Sequence, residues 1–163
     1  MRCRLPFARL VLILSVAMTG LVCPVAAEDD PDAGYTVRLF VAKSDGTESK
    51  PLISDPLITS QGSPSWSNDG RLIAFDGWRK GQTGSSSMIF VVKSDGSELR
   101  ELIQGAMPSL SPQGHRIAFS RYTQGRGIWI MSSEGPDAGL VQLDESGWGT
   151  DWSPDGTRIA FTK

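Results

Sequence analysis

The sequence predicts an all-β protein, a β-propeller of four-stranded antiparallel blades with about three blades' worth of strands. Three observations predict it. One hairpin motif returns three times, at steps of 44 and 42 residues. A second hairpin, rich in β-branched and aromatic residues, follows each of the first two copies. Several of its strands are apolar at consecutive positions, which suits a sheet covered on both faces. A fixed period of this size marks an array of one supersecondary unit. Four-stranded sheets of about 40 residues, packed face to face around an axis, make a propeller.

The first hairpin reads P-S-W-S-N-D-G-R-L-I-A-F over residues 64–75 and P-S-L-S-P-Q-G-H-R-I-A-F over 108–119. Over 150–161 it reads T-D-W-S-P-D-G-T-R-I-A-F. Trp66, Leu110 and Trp152 share a slot. Ser67, Gly70, Ile73, Ala74 and Phe75 recur identically as Ser111, Gly114, Ile117, Ala118 and Phe119, and as Ser153, Gly156, Ile159, Ala160 and Phe161. The turn chemistry is explicit. In Pro154-Asp155-Gly156, proline presets φ, Asp suits the next position and Gly accepts the left-handed conformation of a three-residue hairpin with a G1 bulge. The other copies, Asn68-Asp69-Gly70 and Pro112-Gln113-Gly114, keep the glycine. Trp66, Asp69, Gly70, Phe75, Gly114, Phe119, Trp152, Asp155, Gly156 and Phe161 are therefore read as residues that build the repeat. The recurring serines are read as bonding the turn backbone.

The second hairpins run from residues 88–92 through Ser94-Asp95-Gly96-Ser97 to 99–103, and from 127–131 through Ser133-Glu134-Gly135 to 140–143. Residues 35–43, the turn Ser44-Asp45-Gly46-Thr47 and 51–53 repeat the same pattern without a first hairpin before them. The expected organisation is a half-blade at 35–59, blades at 60–103 and 104–145, and a half-blade at 146–163. Residues 52–62 and 104–107 are expected to be linkers. Residues 76–87 and 120–126, Gly-rich and polar, are expected to be loops.

Residues 1–27 read as a signal peptide. Arg2, Arg4 and Arg9 form a basic start, residues 10–22 an apolar core too short to span a bilayer, and Val25-Ala26-Ala27 a cleavage site cut after Ala27. Lipidation of Cys23 would need a small residue before it, and Val22 stands there. Residues 28–34, E-D-D-P-D-A-G, read as a flexible acidic leader. The expected location is the periplasm or outside the cell, with no membrane span after cleavage. Both cysteines, Cys3 and Cys23, fall in the removed segment, so no disulfide is expected. The sequence has 16 basic and 18 acidic residues; less the three arginines, 13 basic remain against 18 acidic, a net charge of −5. That balance argues against nucleic acid, whose affinity rests on Lys and Arg at phosphates.

The repeated W-S-P-D-G-x-R-I-A-F, followed by an I-W-I-M or I-F-V-V strand and an S-D-G turn, resembles the TolB-type, WD40-like (PD40) β-propeller repeat family. The resemblance covers about residues 35–163. It implies a propeller that binds partner proteins of the cell envelope. Similar repeats also form the propellers of prolyl-oligopeptidase-like peptidases, so the alternative is the propeller portion of such a peptidase, with the hydrolase part absent from this sequence. The α/β domain that precedes the propeller in TolB is not represented. About three blades are too few to close a ring, since propellers have about four to eight. Two solutions stand: a piece of a longer propeller, or a homodimer in which complementary half-blades close a six-bladed ring.

No catalytic constellation is expected. His115 follows the Gly114 turn in a slot held elsewhere by Arg71 and Thr157, and no G-x-S-x-G elbow is present. Asp45, Asp69, Asp95 and Asp155 sit one per turn and read as turn formers rather than metal ligands. No cofactor is expected. The candidate partner-binding residues are Trp78, Arg79, Tyr122 and Arg126, because aromatics and Arg on loops are frequent contact residues.

Overall fold

The computed structural model describes residues 36–163. The expected signal peptide, cleavage site and acidic leader lie outside the described residues. Twelve strands form four antiparallel sheets. The first sheet has two short strands, β1 (Phe40–Val41) and β2 (Lys50–Pro51). The second runs in sequence order through β3 (Ile58–Trp66), β4 (Leu72–Arg79), β5 (Met88–Lys93) and β6 (Arg100–Gln104). The third repeats that order with β7 (Ala106–Leu110), β8 (Arg116–Arg121), β9 (Gly127–Ser132) and β10 (Val141–Asp144). The last has two strands, β11 (Trp148–Trp152) and β12 (Ile159–Thr162). The architecture is all-β, that of a partial β-propeller.

The hairpin turns behave as their sequences dictate. Gly70, Gly114 and Gly156 have φ of 69°, 75° and 71°, the left-handed region a glycine enters without steric cost. Ser67 Oγ accepts from Leu72 N at 3.0 Å, Ser111 Oγ from Arg116 N at 3.1 Å and Ser153 Oγ from Arg158 N at 2.9 Å. The repeated serine thus ties the two strands together just inside the turn. Asp69 and Asp155 accept from the serine hydroxyl at 2.6 Å in each case and from the backbone N–H of Arg71 and Thr157. Asp45 and Asp95 do the same for Thr47 and Ser97 in the second type of turn.

Each full sheet is apolar on both faces, so the core lies between sheets. Ile73, Phe75, Phe90 and Val92 of the second sheet pack with Leu52, Ile53 and Ile58. Phe75 and Phe90, opposite each other on β4 and β5, stack with ring centroids 5.1 Å apart. Ala74, Ile89 and Val91, on the other face, pack with Leu110, Ile117, Phe119 and Met131 of the third sheet. Alternate residues of one strand thus serve two interfaces, as the period of two requires.

Two features depart from the sequence expectation. First strands begin upstream of the repeated motif, at Ile58, Ala106 and Trp148. The expected linkers 52–62 and 104–107 are therefore partly strand, and only Gly105 separates β6 from β7. Each first strand carries a register shift, and Ser63, Met107 and Gly149, in one slot of the repeat, all have positive φ of 47°, 51° and 64°. In β7 and β11 the preceding sheet bonds to the bulged residue. Met107 N donates to Asp76 Oδ2 at 2.8 Å, and Gly149 N donates to Ser120 Oγ at 2.9 Å. Of the segment expected as a strand at 35–43, the described residues 36–43 are strand only at Phe40–Val41, with a single bridge from Val37 to Ser60. Among the described residues β2 is the one strand partner of β1.

Candidate functional site

The second sheet-to-sheet bond recurs as regularly as the first. Leu110 N donates to Ser65 Oγ at 2.9 Å, and Trp152 N donates to Ser109 Oγ at 3.3 Å. Ser65 and Ser109 occupy one slot, as do Asp76 and Ser120. The second and third sheets therefore each grip the first strand of the next at two points. The Trp152 indole adds a bond to Ser109 O at 3.1 Å. Trp152 is half-buried, while Trp66, in the same slot of the first copy, is 46% exposed. Phe75 and Phe119 are fully buried, and Phe161 is 40% exposed.

The four candidate contact residues fall at the end of the sheets where β4 turns into β5 and β8 into β9. Trp78 and Arg79 are not on a loop: β4 runs through both. The polar D-G-W-R-K-G reads as a loop from sequence, yet Asp76 is buried in the grip on Met107. Gly77 is a close approach, where an added Cβ would lie 2.8 Å from Ser60 O. Trp78 donates its indole N–H to Gly84 O at 2.9 Å, bracing the single 3-10 turn Gly84–Ser86. Arg79 Nε donates to Glu101 Oε2 at 2.7 Å. These two side chains are engaged within their own sheet.

Tyr122 and Arg126 do lie on the β8–β9 loop and are exposed. Tyr122 occupies the slot of Trp78 one repeat later, and its ring packs on Trp148 of the last sheet with centroids 4.2 Å apart. Beside it the Arg121 guanidinium stands 4.9 Å over the Trp129 ring and donates to Gln104 O at 3.3 Å. Trp129 donates its indole N–H to Gly125 O, which holds the loop against the sheet. Burial, and secondly the charge on Asp76, push the Tyr122 phenol above its ordinary value. Partial desolvation lowers Arg121, which remains a cation at any physiological pH. The sequence reading singled out Tyr122 but missed Arg121, Trp129 and Trp148. Arg121 falls within the expected loop 120–126, Trp129 on an expected strand and Trp148 in the last half-blade, and only the fold brings the two tryptophans beside the loop.

A pocket of about 60 Å³ opens here, lined by Ser85, Gln104, Gly105, Arg121, Tyr122, Thr123 and Gln124. That is far below the roughly 300–1,000 Å³ of small-ligand pockets. Among the described residues no group of three or more His, Cys, Asp or Glu side chains could hold a metal ion. His115 is exposed on its turn. The surface here is an aromatic and cationic relief.

Among solved structures the described fold is that of TolB and other β-propeller proteins. Over 77% of this chain and 47% of the other, it superposes on a TolB-like protein from Agrobacterium tumefaciens with a TM-score of 0.61 and 21% identity. TolB from Acinetobacter baumannii gives a TM-score of 0.59 and 16% identity over 76% of this chain and 31% of the other. The β-propeller domain of the Trilobed protease from Pyrococcus furiosus gives 0.50 and 20% over 62% and 33%. The chain spans between about a third and a half of the length of these structures. No family model matches the sequence, and no curated protein does. Among the described residues no helix is long and apolar enough to cross a membrane.

Proposed function

We propose that this chain is an exported, non-catalytic β-propeller protein that acts as a protein-interaction module of the cell envelope. The observation that carries the reading is the relief around the β8–β9 loop. Tyr122 on Trp148, Arg121 on Trp129 and the exposed Arg126 present aromatic and guanidinium groups on a rigid sheet end. Such groups dominate protein-binding hot spots. Residues 1–27, with their basic start and apolar core, support export, and the likeness to TolB propellers supports the envelope setting.

The test is a photo-crosslinking amino acid placed at position 122 or 126 in living cells, with position 95 as control. Asp95 sits on a turn at the opposite end of the second sheet. The reading expects a discrete adduct with an envelope protein from 122 and 126, none from 95, and a chain that begins at Glu28. Equal labelling at all three positions, or a cytoplasmic chain that keeps residues 1–27, would contradict it. The likeness to a protease's propeller domain favours a second reading, the propeller portion of a peptidase. A reading frame that continues past codon 163 into a G-x-S-x-G elbow, with Asp and His beyond, would select that one.

A further inference from the structure

The second and third sheets share one register until they reach the end where the β8–β9 loop lies. In the second sheet β3 stays on β4 beyond Gly62 and Asp76, through Gln61 with Gly77 and Ser60 with Trp78 to Ile58 with Arg79. In the third, β7 leaves β8 at Ala106 and Ser120, the counterparts of Gly62 and Asp76. The chain itself gives the reason. The residues that would continue the ladder, up to Gln104, already form β6 on β5, and Gly105 alone joins β6 to β7. The pocket opens where this ladder stops, between Gln104 and Gly105 on one side and residues 121–124 on the other. Both four-stranded sheets build it.

Arg121 stands in that opening, and the repeat does not require it there. Its slot in the second sheet holds Gly77, where an added Cβ would lie 2.8 Å from Ser60 O. The counterpart of Ser60 is Gln104, and Arg121 Nε donates to Gln104 O at 3.3 Å. The guanidinium also stands 4.9 Å over the Trp129 ring. These two contacts fix the group and leave both Nη nitrogens without a partner among the described residues. No carboxylate among those residues pairs with Arg121. The Asp76 carboxylate, whose charge reaches Tyr122, is committed to Met107 N. Arg121 is half-buried, and desolvation disfavours its charge. An incoming carboxylate would offset that cost.

We infer that this pocket receives an aspartate or glutamate side chain from an acidic segment of a partner protein, paired end-on with the Arg121 guanidinium. The inference rests on the reading of this loop as a partner-binding surface and names the partner's chemistry. The two oxygens of a carboxylate match the planar fork of the Nη nitrogens. The volume of about 60 Å³ exceeds the roughly 10–15 Å³ one water needs and suits a single side-chain head group. Lys80, on the loop that carries Ser85, and Arg126, on the loop that carries Thr123, are exposed and make no ion pair among the described residues. Further acidic residues of the segment would find these cations beside the pocket, and an apolar neighbour would lie on the Tyr122–Trp148 pair.

The test is selection from a random heptapeptide library on the full chain, followed by anisotropy titration of the enriched peptide carrying fluorescein. Enriched peptides should contain Asp or Glu, bind more weakly as salt is raised, and lose about tenfold or more in affinity on Arg121→Gln. Replacing the peptide's carboxylate by its amide should cost the same, and the two losses should not add. A merely structural Arg121 would not show that coupling. Thr123→Glu covers the case in which Arg121→Gln folds poorly. It sets a carboxylate at the pocket from an exposed loop position, and should abolish binding while far-ultraviolet dichroism is kept. Enrichment of peptides without carboxylates, affinity indifferent to these substitutions, or no enrichment at all would overturn the inference. Photo-crosslinked adducts from positions 122 and 126 would then still uphold the interaction reading. Their absence strikes that reading, whatever the library selects.

Discussion

Phe119 and Phe161 are the same residue of the same motif, and one is sealed while the other is 40% exposed. The difference lies in their neighbours. Phe119 has Trp129 opposite it on β9, Gly105 beneath it and a full sheet in front. Phe161 has Gly147 and Ile128 beneath it, but among the described residues no third strand beside β12. Phe90 and Phe40 repeat the contrast at the other end. In a repeat protein a sequence position sets what a residue can bury, and the adjoining repeat decides whether it does.

The comparison is broken most forcefully at its buried member. Phe119→Ala should cost about 3–5 kcal/mol in chemical denaturation, the range for truncating a sealed aromatic. Phe161→Ala should cost no more than roughly half of that at low protein concentration, since much of the ring is already in water. Equal losses would mean the two sites are equally buried. Next comes the grip between sheets: Asp76→Ala strands Met107 N–H and should cost about 1–3 kcal/mol. Ser120→Ala, the same change one sheet later, should cost less, because a neutral hydroxyl is replaced. A reversal of that order would show that the grip does not hold the bulged strands.

A smaller effect follows from the turns. Asp155 is held down to about 2 from the ordinary 3.8, first by the Ser153 hydroxyl and then by Thr157. A depressed carboxylate stabilises the fold above its ordinary value, and the contribution is lost as pH falls from about 3.8 through 2. Asp155→Asn should therefore flatten the acid limb of a stability–pH curve in that window and leave neutral pH nearly unchanged. A shift confined to neutral pH would contradict the turn assignment. Smallest of all, Arg79→Ala removes a partly exposed pair with Glu101 and should cost about 0–1 kcal/mol. A larger loss would indicate that Arg79 supports more than its own sheet.

The sequence was most legible where one residue type answers one backbone demand. Gly70, Gly114 and Gly156 with their serines announced the hairpins, and the apolar runs announced sheets covered on both faces. It was least legible where the demand comes from another sheet. The bulge slot holds Ser63, Met107 and Gly149, three residues with no common preference, and at Met107 and Gly149 a bond from Asp76 or Ser120 braces the conformation from outside. Gly77 looked like a loop glycine, yet it is a close approach within β4. For the same reason Trp78 and Arg79 were expected on a loop and lie on a strand. At the candidate site Tyr122 and Arg126 are read from the 120–126 loop, which also holds Arg121; Trp129 and Trp148 meet them only through tertiary packing.

Amide hydrogen exchange, followed strand by strand at two protein concentrations, tests the central contrast most directly. The account predicts strong, concentration-independent protection in β4, β5, β8 and β9. It predicts faster exchange at both concentrations in β1, β2, β11 and β12, which form sheets of only two strands. Uniform protection of all twelve strands at every concentration, or fast exchange in β4 and β8, would contradict it.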